Sequence, residues 1–387
     1  MSGARNLQLE SLRGLAAVSV FVFHASNRIG DLFGVPYRLL GHLDLGVRVF
    51  FLLSVYLIYR PFVRSHIRYG TGKPTGEYAW KSCWRIYPSY WLALVFAIAI
   101  GRAELSGISG VLKHGLLLQT YFRDRDGAGV QVAWTLVVEI LLYMFLPVFA
   151  AVVRRIGRIL GRGRAELFAA GTFILAALVC LGPYVERIGI FRGPGIARVF
   201  ESAAIPGSLG MMLAVIESVE LSAITRQRIV RIASPIGRWW AAAGLVLALL
   251  AGVIANGFET PNRAATGWQW INVQWGHGLV ALLLVTPLVL APDAGGRLRR
   301  LLAKPGLVML GTVSYSLYLW HLPVLTFTKS LGLNDSLGSA IPAAVGAFVA
   351  SVGVAWLGQR YVEAPCLRVA ARWRVRPKEP KSLQPSL

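Results

Sequence analysis

Apolar runs of about twenty residues recur along the whole chain, and nothing constrains its fold more. Each is long enough to cross a hydrocarbon core about 30 Å thick as an α-helix rising 1.5 Å per residue. About ten are readable, near residues 13–33, 46–63, 85–101, 133–153, 165–183, 196–217, 237–256, 270–291, 306–327 and 339–361. The predicted fold class is therefore all-α: a polytopic membrane protein with about ten transmembrane helices. A shorter run, 107–121, is expected to lie at a membrane surface. Composition agrees. Of the 387 residues, 55% are hydrophobic and only 15% charged, where a soluble domain carries roughly a quarter charged residues. A soluble enzyme, a disordered chain and a disulfide-stapled secreted fold are all excluded on that ground. Cys83, Cys180 and Cys366 stand far apart and match no ligand spacing, so neither a disulfide framework nor a metal site is expected.

The net charge of +22 would suit a nucleic-acid binder. The cations, however, lie between apolar runs instead of forming one solvated face. Arg60, Arg64, Arg68, Lys73, Lys81 and Arg85 separate the second run from the third. Arg154, Arg155, Arg158, Arg162 and Arg164 fill the next alternate connection, followed by Arg226, Arg228, Arg231 and Arg238, and then by Arg297, Arg299, Arg300 and Lys304. Loops of mixed charge, such as Arg123-Asp124-Arg125-Asp126, fall between these groups. Cytoplasmic loops are enriched in Lys and Arg, so this alternation predicts cytoplasmic termini and removes the need for nucleic acid. The first run carries Arg13 and His24 and continues past residue 30, which favours a retained span over a cleaved signal peptide. Residues 1–368 are read as one transmembrane domain and 369–387 as a basic, disordered cytoplasmic tail.

Ionisable groups inside apolar spans are costly and mark functional candidates. His24, Glu139, Glu201, His277 and His321 are such groups. Arg13 and His24 are eleven residues apart, which at 100° per residue returns a helix to nearly the same face and lifts His24 roughly 16 Å above Arg13. One face thus offers an anion anchor at the cytoplasmic mouth and a titratable base near or beyond mid-membrane. Glu139 and His321 fall at the outer depth too, when counted from the predicted topology. Glu139 is either a polar tie between helices or faces a wet cavity, and His321 either packs beside Pro323 or faces the same cavity. Glu201, His277 and Trp275 also fall at outer depth, Trp275 being either an interfacial anchor or a sugar-stacking surface. At the cytoplasmic side Lys81 and Arg85, together with Arg13 and Arg60, suit phosphate, because guanidinium forks match its oxygens.

Six motifs, in order, resemble the membrane-bound acyltransferase family three. They are Leu12-Arg13-Gly14-Leu15-Ala16-Ala17 with His24 beyond it, Phe50-Phe51-Leu52-Leu53-Ser54, Arg85-Ile86-Tyr87-Pro88, Trp134-Thr135-Leu136 with Glu139, Ser314 to His321, and Glu363-Ala364-Pro365. The chain departs from the pattern at Val55, where glycine is usual, at Arg48, where many members are acidic, and at Ser82, where the family has an arginine. The resemblance implies O-acyl transfer from cytoplasmic acyl-CoA, acetyl-CoA foremost, to a hydroxyl of a glycan, glycolipid or glycoside. The acyl-CoA is a co-substrate, with no tightly bound cofactor. It also implies that Arg13, Arg85 and Lys81 hold the donor, that His24 is the general base, and that Glu139 and His321 support it. Ser54 is the least implausible nucleophile if an acyl-enzyme forms. An arginine- and alanine-rich composition points to a bacterial cytoplasmic membrane. Two other readings stay open: a proton-coupled transporter of an anionic or acylated substrate, and a non-catalytic scaffold.

Overall fold

The computed structural model of the protein describes residues 6–33, 40–70, 75–100, 105, 107–119, 130–180, 194–219, 221–254, 267–332 and 337–372. Among these residues the chain is helical throughout, with no strand. The helices are α1 (Leu7–Phe33), α2 (Leu45–Tyr69), α3 (Thr75–Ala99), α4 (Gly107–Gly115), α5 (Trp134–Leu160), α6 (Arg162–Cys180), α7 (Pro194–Ser218) and α8 (Ala223–Ala233). They continue as α9 (Ile236–Ile254), α10 (Gly267–Leu290), α11 (Arg297–Leu302), α12 (Pro305–Thr312), α13 (Ser314–Ser330), α14 (Leu337–Gly358) and α15 (Ala364–Arg372). Short 3₁₀ turns, Gly41–Asp44 and Gln131–Ala133, lead into α2 and α5, and a π-helical turn, Gln359–Glu363, joins α14 to α15. Of the tail expected at 369–387, residues 369–372 are helical as the end of α15, and the remainder lies outside the described residues.

The central element is α2. A helix apolar on all sides belongs inside a bundle rather than at its rim. Accordingly Leu52, Leu53, Val55, Tyr59 and Val63 are fully buried, although they point in different directions around the axis. Around α2 pack α1, α5, α6, α7 and α10, with α7 making the broadest contact. Two polar ties fasten its C-terminal half. Glu217 of α7 receives two hydrogen bonds from Arg60, at 2.6 and 2.7 Å, and a third from Arg64 at 2.7 Å. Glu166 of α6 accepts from Tyr59 at 2.7 Å and pairs with His66 at 2.6 Å.

Four helical stretches, Gly41–Tyr69, Gln131–Leu160, Val273–Leu290 and Ser339–Arg372, are long and apolar enough to cross a membrane, or six if two bent pairs each make one span. That supports an integral membrane protein; of the about ten spans expected, these four to six are found among the described residues. At 27 residues α1 is long enough to span, but it carries Glu10, Arg13, Arg28 and Asp31. The expected run 306–327 is two helices, α12 and α13, bent by 72° at Val313. α8 and α9 meet at 58°. The short run expected at the membrane surface is α4, nine residues with Ile108, Val111 and Leu112 exposed.

The bend at Val313 serves α1. Gly14 of α1 and Gly311 of α12 cross backbone to backbone: a Cβ on Gly14 would stand 2.7 Å from the Gly311 nitrogen, and one on Gly311 would overlap the Glu10 carbonyl. Only glycine permits so close an approach between helices. Below the crossing, the buried Arg299 donates to Gln8 Oε1 at 2.9 Å and to the Pro287 carbonyl at 2.7 Å, and Ser11 donates to the Leu302 carbonyl at 2.5 Å. Arg299 looks from sequence like one more loop cation; in the fold it locks the start of α1. Gly311→Ala should therefore destabilise the protein by about 1–3 kcal/mol, the range for overpacking. It should also displace Arg13, three residues from Glu10. A lowered thermal midpoint in detergent, by size-exclusion chromatography, is the check; an unchanged midpoint would mean the crossing is looser than described.

Candidate active site

One cleft gathers residues from five helices. It is a narrow cleft of about 50 Å³, lined by Arg13 of α1, Val47, Phe50, Phe51 and Ser54 of α2, Arg85 of α3, Thr135, Leu136 and Glu139 of α5, and Tyr315 and Tyr318 of α13. The local sequence explains each contribution. Val47, Phe51 and Ser54 recur at helical spacing on one stripe of α2, and Thr135 and Glu139 lie one turn apart on α5. Tyr315 enters the cleft because α13 starts afresh after the bend at Val313.

Charges balance inside this cleft. Arg13 interacts electrostatically with Arg85 and Glu139, and Arg85 with Glu139, Tyr143, Glu363 and Tyr315. Glu139 accepts a hydrogen bond from Tyr143, one turn further along α5. Glu363, 7% exposed, accepts from Ser316 of α13 and from Ser89 of α3, the latter at 3.4 Å. Glu363 stands at the end of the π-helical turn, a feature that often accompanies functional sites. Tyr315 donates to the Ile86 carbonyl at 2.8 Å, tying α13 to α3 beside Arg85.

A second group continues from the cleft. His24 and His321 lie ring to ring, with centroids 5.1 Å apart and planes 38° from parallel. His321 is buried and its Nδ1 lies 2.6 Å from the Tyr318 carbonyl. A carbonyl can only accept, so Nδ1 carries the proton, and in the neutral ring Nε2 holds the lone pair. Tyr318 returns to the cleft, where its hydroxyl receives a hydrogen bond from Thr135 at 3.1 Å. Thr135 stands where the resembled motif has serine, and it supplies the same hydroxyl.

The residues expected from sequence thus separate into groups. Arg13, Arg85, Glu139 and Ser54 share the cleft, and His24 and His321 touch each other beside it. Lys81 is half-buried and is not among the residues lining the cleft. Arg60, considered for phosphate, is held by Glu217. Trp275 packs against Ile205 of α7, away from the cleft. The side chain of Glu201 lies outside the described residues. His277 joins a different polar cluster, with His42. Among the described residues no group of three metal-ligating side chains converges. Sequence reasoning passed over Tyr143, Tyr315 and Tyr318. Tyr143 was within reach, being four residues after Glu139, whereas the bend that admits Tyr315 has no local signal beyond Gly311.

Residues 6–360 match the acyltransferase domain that defines family three. The chain is also 27% identical over 365 residues to the exopolysaccharide production protein ExoZ of Rhizobium meliloti (strain 1021), covering 92% of this chain and 96% of that relative. No solved structure matches. Spanning nearly its whole length, the family match and the cleft built from its motifs make this chain a member of the acyltransferase family three, a membrane O-acyltransferase.

Proposed function

We propose that the protein moves an acyl group, acetyl foremost, from acyl-CoA to a carbohydrate hydroxyl, with His24 as general base. The observation that carries this reading is the placement of Arg13 and Arg85 in one cleft, with His24 on the same helix as Arg13, roughly 16 Å along it, and ring to ring with His321 of α13. That separation suits a phosphate-anchored donor whose extended arm carries the thioester to the histidine. The acceptor hydroxyl attacks the thioester carbonyl while His24 takes its proton. The carbon–sulfur bond then breaks, and the CoA thiolate leaves and recovers that proton as a thiol. Neutral imidazole is the form that a general base requires. Lys81 adds a point charge at the mouth for the donor phosphates. Glu139 offsets the repulsion between the two guanidinium groups, and His321 packs on the His24 ring.

The acceptor class is supported by the relative's name, which ties it to exopolysaccharide production. That relative is bacterial, and with the cation pattern it supports a bacterial cytoplasmic membrane with both termini inside. The transporter reading is favoured by one feature, the 72° break between α12 and α13, since discontinuous helices line transporter sites. Membranes containing the protein, supplied with labelled acetyl-CoA, discriminate between the two. Free CoA should appear together with label in glycan or lipid-linked sugar fractions. Uptake of label into vesicles without CoA release would replace the enzyme reading with transport.

A further inference from the structure

A buried polar cluster outside the donor cleft has no assigned role. It forms where the first turn of α2 meets α10. Arg48 donates to Asp44 Oδ2 at 2.8 Å and to Gln274 Oε1 at 3.2 Å. His42 Nδ1 lies 2.9 Å from His277 Nε2. His277 Nδ1 faces Asp44 Oδ1 at 3.6 Å, too far for a direct hydrogen bond. Three polar atoms of this cluster, Asp44 Oδ1, Gln274 Nε2 and His277 Nδ1, have no hydrogen-bond partner among the described residues. Gln274 and His277 are each 1% exposed, which makes such orphans costly and calls for a partner.

We infer that this cluster is the acceptor subsite and that it takes a neutral sugar through adjacent hydroxyls. This rests on the acyl-transfer reading above and adds the substrate class. The orphans comprise an acceptor, Asp44 Oδ1, a donor, Gln274 Nε2, and a ring nitrogen able to play either part. A hydroxyl gives and receives at once, and one placed about 2.7 Å from both Asp44 Oδ1 and His277 Nδ1 would bridge their gap. A neighbouring hydroxyl would serve Gln274. Arg48 is already balanced by Asp44, so a sugar carboxylate would meet a like charge with no free cation of the cluster to offset it. Asp44 keeps 21% of its side-chain surface and marks the open side.

Position supports the assignment. Val47, next to Arg48, lines the donor cleft, as do Phe50, Phe51 and Ser54 on the following turns. The Tyr318 phenol of the cleft lies within electrostatic reach of Arg48. A ring held at the cluster would therefore sit beside the cleft that holds the donor. The cluster also lies at the opposite end of α2 from the Arg60–Glu217 tie, twelve residues or roughly 18 Å away.

The test is direct binding, independent of turnover. The full chain in lipid nanodiscs is titrated with methyl β-D-glucopyranoside and, separately, its 6-carboxylate, the methyl glucuronide, by saturation-transfer NMR. Acetyl-CoA binding is measured on the same samples. The neutral glycoside should bind at least tenfold more tightly than the glucuronide. Gln274→Met, close in size but lacking the donor, and Asp44→Asn should each weaken the glycoside about tenfold or more and leave acetyl-CoA affinity within twofold. No saturation transfer to wild type would mean the orphans are served by water and would overturn the proposal. Equal glycoside binding by both variants would overturn it too, and so would joint loss of glycoside and acetyl-CoA in both, which would mark the cluster as a structural tie. Cluster-dependent glycoside binding by a wild type that ignores acetyl-CoA would instead uphold the subsite and discard the donor assignment.

Discussion

Replacing His24 by alanine is expected to lower acyl transfer by roughly 10²–10⁴-fold, the usual contribution of a positioned general base. The loss should fall on kcat, with acetyl-CoA affinity nearly unchanged, because His24 lies roughly 16 Å from Arg13 along α1. Folding should survive. His24 is only half-buried, with Phe23 and His321 among its ring neighbours, so its removal opens no large core cavity. Single-turnover measurement of CoA release, alongside a thermal midpoint, separates the two effects. Near-normal turnover in a folded His24→Ala protein would remove His24 as the base. Asparagine at the same place offers a further check: it preserves polarity and approximate size but cannot accept the proton, so His24→Asn should be as inactive as alanine.

The second large effect is expected at Arg85. Hydrogen bonds to charged groups contribute about 1.5–3 kcal/mol, so Arg85→Ala should weaken acetyl-CoA binding roughly tenfold to 150-fold. It also leaves Glu139 and Glu363, both in electrostatic contact with Arg85, without one of their cations, which adds to the cost. Arg85→Lys should recover part of the affinity, since an ammonium keeps the charge and loses the planar fork. Equilibrium binding of labelled acetyl-CoA to the purified variants is the measurement. Wild-type affinity in Arg85→Ala would move the donor phosphates elsewhere, with Arg13 the next residue to test.

Helix content, membrane residence and several of the polar groups that gather at the cleft were legible in the sequence for a shared reason. An apolar run is a statement about the solvent each residue tolerates, and a buried Arg, His or Glu within it is an exception that calls for an explanation. The Arg13–His24 spacing could be converted to a face and a rise because both residues sit on one unbroken helix. The motifs that resembled family three likewise survived as neighbours: Ser54, Arg85, Thr135 and Glu139 reach one cleft although three different helices carry them.

Local pattern fell short where a partner is remote. Arg60 and Arg299 read as loop cations because nothing near them in sequence reveals Glu217 or the Pro287 carbonyl. Trp275 read as either an interfacial anchor or a sugar-stacking surface, and its sequence neighbours give no sign of the Ile205 it packs against. A hydropathy window passes smoothly over Val313, so the run 306–327 looked like one span; the contact of Gly311 with the Glu10 carbonyl, three hundred residues away, is what accompanies its bend.

By itself, then, the sequence determined the solvent, the secondary structure and the list of groups able to bind an anion or move a proton, because these depend on residue type and on spacing within one helix. Only the tertiary structure decided which of those groups meet: Arg13 with Arg85 and Glu139, His24 with His321, and Asp44 and Arg48 with Gln274 and His277. Such meetings depend on how helices cross, and crossings are set by side-chain volume and by glycines such as Gly14 and Gly311 on separate elements, which no single stretch of chain contains.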